Sequence, residues 1–277
     1  MSALEALVLA GSRGPSDPLA SAEGARHRAL LEVGGEPMLV RVLRALRATR
    51  GVGHLTVSIE DPGALEAVPE IAALRRQGAL AVHKSLPSPS RSVLDVLDGG
   101  APERRLLVTT ADHALLRAEI VERFLADAEA SGADLAFGLV AEGLLRASFP
   151  ESKRTYVPFR GGGYSGANLF LFRTPQARAA AAFWVRAERH RKRPWRLVWS
   201  FGPLSLALFL ARRLDLPAAM ERASRAIGAR IAAIPLPFAE AAIDVDKPAD
   251  LVLARELAAR AQRLRSPSAA NAPVAGS

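Results

Sequence analysis

"LEALVLAGSRGPSDPLASAEGARHRALLEVGG" (Leu4–Gly35) decides how the rest of the chain is read. Leu4–Ala10 is a largely apolar run, the signature of a strand buried in a sheet. It stops at Gly11. A loop rich in Gly, Ser, Pro and Arg follows, carrying Arg13, Arg26, His27 and Arg28 before apolar sequence resumes at Ala29. A Gly-bearing turn after a first buried strand exposes backbone N–H groups that can cradle phosphate, and arginines there add charge-assisted contacts. The same stretch also fits an exposed basic loop. It is neither a P-loop nor a Gly-x-Gly-x-x-Gly turn.

The segments that follow alternate. Pro37–Arg50 reads as an amphipathic helix with Met38, Leu39, Val42, Leu43 and Leu46 on its apolar side. His54–Ile59, Ala79–His83, Arg105–Thr110 and Asp134–Val140 read as strands. Gly63–Gln77, Ser90–Leu97 and Leu115–Ser131 read as helices between them. This alternation predicts an α/β fold: a Rossmann-like, mostly parallel sheet with helices on both faces. Ligands of such sheets lie beyond the carboxyl ends of the strands, so the loops after Ala10, His83 and Thr110 should share one cleft.

The second half reads differently. Glu142–Gly163 is expected to be a long loop, Ala167–Arg173 a strand, and Thr174–Arg213 mainly helical. Asp215–Ile227 is a helix, Ile231–Leu236 a strand, and Pro248 to about Arg265 a last helix. We expect one domain over 1–265, with a first half (1–141) and a second half (142–265) carrying a helical insertion (174–228). The Ser/Pro/Ala-rich residues 266–277 read as a disordered tail.

Composition narrows the chemistry. The chain of 277 residues, 49% hydrophobic, can bury a sizeable core. It has no Cys, which excludes disulfides, thiolate zinc sites and cysteine nucleophiles. Its five His are not closely paired, so a bound metal would be held by carboxylates, which favours magnesium. A net charge of +9 attracts anions. No secretion signal is visible, and a cytoplasmic location is expected.

Three further stretches carry candidate chemistry. "RLLVTTADHALL" (Arg105–Leu116) puts Asp112 at the carboxyl end of a strand, where it could bind magnesium or cap the next helix. "AAIDVDKPADLVLARELA" (Ala241–Ala258) has two acids after a strand. Asp246 is expected to cap the last helix, which leaves Asp244 without structural duty and hence a ligand candidate. "RAERHRKRPWRLVWSFGPLSLALFLARRL" (Arg186–Leu214) mixes basic residues with Trp195 and Trp199. It suits either peripheral contact with an anionic membrane at its inner face or a helix pair of the substrate domain. Nucleic acid is not expected as a partner, since no binding module is recognised.

Taken in order, "LVLAGSRG", "RALLEVGGEPML", "VTTADHALL" and "IDVDKPADL" resemble the MobA-like nucleotidyltransferase superfamily over roughly residues 4–260. The resemblance implies the nucleotide-diphospho-sugar transferase type of fold and magnesium as cofactor. It gives Ala10, Gly11, Ser12, Arg13 and Gly14 to the nucleotide phosphates. Arg28 stands where the family usually has Lys, and it joins Arg13 and Asp112 as a catalytic candidate. Asp112 matches the metal-holding acid and Asp244 the second metal position. The opening loop is longer than usual, and the Gly-x-Arg-Met/Leu segment is absent. "PSPSRSVLDVL" (Pro87–Leu97) is similar to the base-contacting segment of the cytidylyltransferase branch, which puts Ser90, Arg91 and Ser92 near the base; the plain alternative is a helix capped by Ser90. "KRTYVPFRGGGYSGANLFLF" (Lys153–Phe172) is similar to the acceptor region, with Lys153, Arg154, Tyr156 and Asn168 as contacts, or is a solvated loop.

The expected function is transfer of an NMP group from NTP to a phosphorylated small molecule with release of pyrophosphate. CTP is favoured over GTP or UTP. Two alternatives stay open here: a glycosyltransferase of similar sheet architecture, and a non-catalytic homologue that binds a nucleotide or a membrane.

Overall fold

The computed structural model of the chain describes residues 4–12, 17–188 and 213–265. The opening run forms β1 (Leu4–Leu9) at the centre of an eight-stranded sheet. On one side of it lie β4 (Val52–Ile59) and β5 (Leu80–Lys84); on the other lies β6 (Leu106–Thr110). All three neighbouring pairs are parallel. Beyond β6 come β9 (Gly162–Phe172), β7 (Leu135–Ala141) and β10 (Ile231–Pro235). β9 runs antiparallel to both β6 and β7, so the sheet is mostly, not wholly, parallel. A small ribbon of β2 (Glu32–Val33) and β3 (Glu36–Pro37) leads into α2 (Met38–Ala48).

Each face of the sheet buries its own apolar cluster, and β1 supplies both. Ala6 and Val8 point to a large cluster shared with α2. α6 (Ala118–Ser131) and α10 (Pro248–Arg265) pack into it, bringing Phe124 and Leu251. Leu7 points the other way, to Val93 and Val96 of α5 (Pro89–Asp98) and Ala177 and Ala181 of α8 (Ala177–Glu188). Two-sided burial explains why β1 reads as a near-continuous apolar run. The expected α/β architecture with helices on both faces is the one observed.

Several local expectations are corrected. Glu142–Gly163 is not a long loop: it contains α7 (Glu142–Ser148) and β8 (Val157–Phe159), which pairs with β9. Gly63–Gln77 is split into α3 (Gly63–Glu66) and α4 (Pro69–Arg76), because Pro69 excludes the helical conformation from Val68, which is extended. The helix after Asp112 begins only at Ala118, with Arg117 at its N-cap. α9 (Leu216–Ile227) is capped by Asp215, whose carboxylate accepts the Ala218 N–H at 2.8 Å. Within 174–228 the described residues form α8 and α9. The proposed membrane segment 186–214 and the tail 266–277 lie mostly or wholly outside the described residues. No described helix is long and apolar enough to cross a membrane.

Candidate active site

The loops after β1, β6 and β10 converge at the carboxyl edge of the sheet. β1 and β6 lie side by side, and the Ala111 N–H closes their ladder on Leu9 O at 2.9 Å. Ala10 is anchored from the other side by Ser58 O at 2.8 Å, so Gly11 and Ser12 begin the loop at the rim. Across the cleft mouth the Val245 N–H donates to Asp112 O at 3.0 Å. That bond stitches the "IDVD" turn to the end of β6. Two acids far apart in sequence thereby become neighbours.

Two deeply buried arginines hold this turn. Arg28 donates from Nη2 to Val245 O at 2.6 Å and to Asp246 Oδ1 at 2.7 Å, with Asp17 Oδ2 3.5 Å from Nη1. Asp17 is itself fixed, capping the short helix α1 (Pro18–Ala22) through the Leu19 and Ala20 N–H groups. Arg154 contacts Asp244 Oδ1 through Nη1 and donates from Nη2 to Asp244 O at 2.8 Å; Asp250 lies 3.5 Å away. Asn168 Nδ2 donates to the other oxygen of Asp244 at 3.1 Å.

These contacts revise the reading of the two acids. Asp246 turns its carboxylate to Arg28, and it is Asp250 Oδ2 that accepts the N–H groups of Asp246 and Lys247, at 3.1 Å each. Asp244 is not idle either, since Arg154 and Asn168 share it. Arg28 and Arg154 clamp the turn through their Nη groups, while the buried Nε of each has no hydrogen-bond partner among the described residues.

Asp112 behaves differently. It caps no helix, and among the described residues it has no ion-pair partner. Thr110 Oγ1 donates to its Oδ1 at 2.5 Å. Burial pushes its carboxyl up to about 6, and the Thr110 hydrogen bond opposes that. The charges of Asp244 and Asp246 add to the rise, and that of Arg28 works against it. A carboxylate left short of positive charge, with two more acids nearby, suits a divalent cation. Among the described residues no group of three or more metal-ligating side chains converges. Magnesium commonly takes one or two carboxylates and completes its shell with water and phosphate oxygens, so the donors fit that ion. Asp112 with Asp244 or Asp246 could hold it. Beside Asp112, burial pushes the His113 imidazole down to about 4, and neither ring nitrogen has a hydrogen-bond partner among the described residues.

The remaining candidates fall on the walls. Ser88, not Ser90, caps α5 by accepting the Arg91 N–H. Ser90 is fully buried and donates from Oγ to Glu188 Oε2 at 2.6 Å, while Ser92 Oγ accepts the Leu86 N–H at 2.9 Å. The two serines therefore shape the loop from within, and Arg91 is exposed. Tyr156 lies under Arg146, 5.3 Å from its ring centre. Lys153 is exposed, and its carbonyl accepts from Lys247 Nζ at 3.3 Å. Arg13 and Gly14 lie outside the described residues. The sequence reading missed Asp17, Asp250 and Lys247, although all three lie inside stretches that it did single out.

A mostly parallel sheet with a Gly-led loop, acids and basic clamps at its carboxyl edge defines an α/β protein of the nucleotide-diphospho-sugar transferase type. The model of the MobA-like NTP transferase domain matches residues 6–230, and the chain belongs to that family of nucleotidyltransferases. No curated protein matches the chain. Among solved structures, a hypothetical transferase from Thermus thermophilus is 31% identical, covering 90% of this chain and 100% of its own, with a TM-score of 0.73. Two more distant structures share the fold. A 2-C-methyl-D-erythritol 4-phosphate cytidylyltransferase, also from Thermus thermophilus, is 18% identical over 93% of this chain and 100% of its own, with a TM-score of 0.53. A CMP:2-keto-3-deoxy-manno-octonic acid synthetase, complexed with CTP, is 15% identical over 94% of this chain and 98% of its own, with the same TM-score of 0.53.

Proposed function

We propose that this nucleotidyltransferase transfers CMP from CTP to a phosphorylated small molecule, with magnesium, releasing pyrophosphate. The observation that carries the reading is the stitched cleft. There Asp112, without an ion pair among the described residues, lies against an acidic turn held by Arg28 and Arg154 and beside the Gly11–Ser12 loop. Support for CTP comes from the two distant structures, one a cytidylyltransferase and one bound to CTP.

In this reading an acceptor phosphate oxygen attacks the α-phosphorus, a new P–O bond forms, and the bond to pyrophosphate breaks. A phosphate monoester with a second pKa of about 6 is largely ionised at neutral pH, so no side-chain base is required. Magnesium, when bound, supplies the charge neutralisation that phosphoryl chemistry needs. The chain's own residues do the positioning. Gly11 and Ser12, with Arg13 and Gly14, receive the phosphates. Arg28 holds Asp246 and Arg154 holds Asp244 in place beside Asp112. Lys153 and Tyr156 face the acceptor.

The test is pyrophosphate release with each of the four NTPs against a panel of sugar phosphates, polyol phosphates and phosphorylated lipid-headgroup precursors, with and without magnesium. Magnesium-dependent release with CTP and one acceptor class supports the reading. Release with GTP or UTP alone would replace the nucleotide assignment, and no release from any pair would remove the proposed reaction.

A further inference from the structure

Glu60 follows β4 directly, and its carboxylate reaches across into the first turn after β1. The Ser12 N–H donates to Oε1 at 3.1 Å and to Oε2 at 3.2 Å, and the Ser12 hydroxyl also donates to Oε1. His27 supplies another donor from the far end of the opening loop. Its Nδ1 accepts the Ala29 N–H at 3.1 Å, so the proton of the neutral ring lies on Nε2. That Nε2 lies 3.1 Å from Glu60 Oε1. The His27 side chain is 6% exposed and cannot turn freely, whereas that of Glu60 is 39% exposed. A backbone amide, a hydroxyl and an imidazole N–H thus converge on one anionic oxygen. The imidazole donor is buried, and the carboxylate that accepts from it is the more exposed partner.

Donors gathered on one point of negative charge make an anion site whatever fills it. Here the occupant is a side chain of the protein itself, at the loop that the proposed function gives to phosphate. We propose that the Ser12 N–H, the Ser12 hydroxyl and His27 Nε2–H form a cradle for a nucleotide phosphate group, with Glu60 as its resident surrogate. This rests on the proposed function and adds His27 as a ligand-binding residue and Glu60 as a competitor. Glu60 can leave by rotating its side chain, because β4 stays in its ladder with β1 and β5. The apparent affinity for phosphate is then lowered by the fraction of time for which Glu60 occupies the cradle.

The probe is inorganic pyrophosphate, titrated calorimetrically into the full chain. Glu60→Ala empties the cradle, and Glu60→Gln keeps the side chain's size while removing its charge. Both should bind pyrophosphate more tightly than wild type, the alanine variant by about tenfold. Ser12→Ala and His27→Phe, each checked for an unchanged thermal transition, should weaken binding, alone and combined with Glu60→Ala. Glu60→Ala binding no tighter than wild type would overturn the proposal. So would a folded His27→Phe variant that binds as wild type does, or a Glu60→Ala variant that binds no pyrophosphate at all. Tighter binding by Glu60→Ala alongside no turnover of any NTP would support the cradle and count against the nucleotidyl reaction alone.

Discussion

Asn168 Nδ2 donates to Asp244 Oδ2 at 3.1 Å, and among the described residues Asn168 is the one non-glycine with a positive φ, 48°. The two facts are linked. The pairing of β7 with β9 slips between Phe137 and Leu139, so Phe137 faces Phe170 while Leu139 faces Gly166. That irregularity lets Asn168 leave the regular pleat and turn its amide toward the cleft. Gly138 sits opposite, where a Cβ would come within 3.2 Å of Ala167 Cβ and Leu236 Cδ1. Backbone geometry on β9 is thus spent on aiming one side chain at one acid.

Replacement of Asn168 should separate backbone from side chain. Asn168→Gly tolerates the left-handed conformation, so in urea it should lose little beyond the hydrogen bond itself. Asn168→Ala should lose about 1 kcal/mol more, because an alanine is strained there. Both lose the bond to Asp244, and both should lower kcat/KM by about tenfold or more, the cost of roughly one charge-assisted hydrogen bond. Wild-type turnover in Asn168→Gly would show that the bond does not matter to the reaction.

Asp112→Asn should make the magnesium-free protein more stable while abolishing turnover. The carboxyl has its ordinary value of 3.8 when unfolded and about 6 when folded, so ionisation opposes folding. Below about pH 3 the acid is protonated in both states and the substitution changes little. The gain grows as pH rises from there toward 6 and is complete above it, on the order of 3 kcal/mol. Urea unfolding at pH 3 and pH 8 checks this. An equal or lower stability at pH 8 would contradict the electrostatic description of Asp112.

His113 should act with the opposite sign in the same window. Its imidazole titrates at 6.5 when unfolded and near 4 when folded, so its stability contribution is complete above pH 6.5 and is lost as pH falls toward 4. That loss is on the order of 3 kcal/mol. His113→Leu should flatten this part of the acid limb of the stability profile. A wild-type slope in His113→Leu would place the acid sensitivity elsewhere.

Arg154→Met should be among the more damaging substitutions outside the apolar core. It leaves Asp244 and the buried Asp250 without their shared cation, and breaking a buried pair from one side commonly costs about 3–5 kcal/mol. Lys153→Ala, next to it but exposed, should leave the unfolding free energy within about 0.5 kcal/mol of wild type and raise only the acceptor KM. Equal destabilisation by both substitutions would remove the distinction between a clamp and a surface contact.

Much of the fold was legible because apolar runs and amphipathic helices alternate through the first half. β1, α2, β6 and α10 fall within two residues of where their patterns put them. Strand direction is not written in such a pattern, and the reversal of β9 between β6 and β7 was invisible. The short α7, "EGLLRAS", lacks enough turns to show a period. At the site, the acids were legible because Asp112 and Asp244 follow strands. Their partners were not: Arg28 meets Asp246 across 218 positions and Arg154 meets Asp244 across 90. The clamps arise from folding two distant segments onto one sheet edge, which no local spacing records.

The most direct measurement is equilibrium binding of CTP to the wild-type protein and to Asp112→Asn, each with and without magnesium. It needs no knowledge of the acceptor. The account predicts that wild-type CTP affinity rises by about tenfold or more on adding magnesium, and that Asp112→Asn loses that rise. CTP binding that ignores both magnesium and the loss of Asp112, or no binding at all, would contradict it.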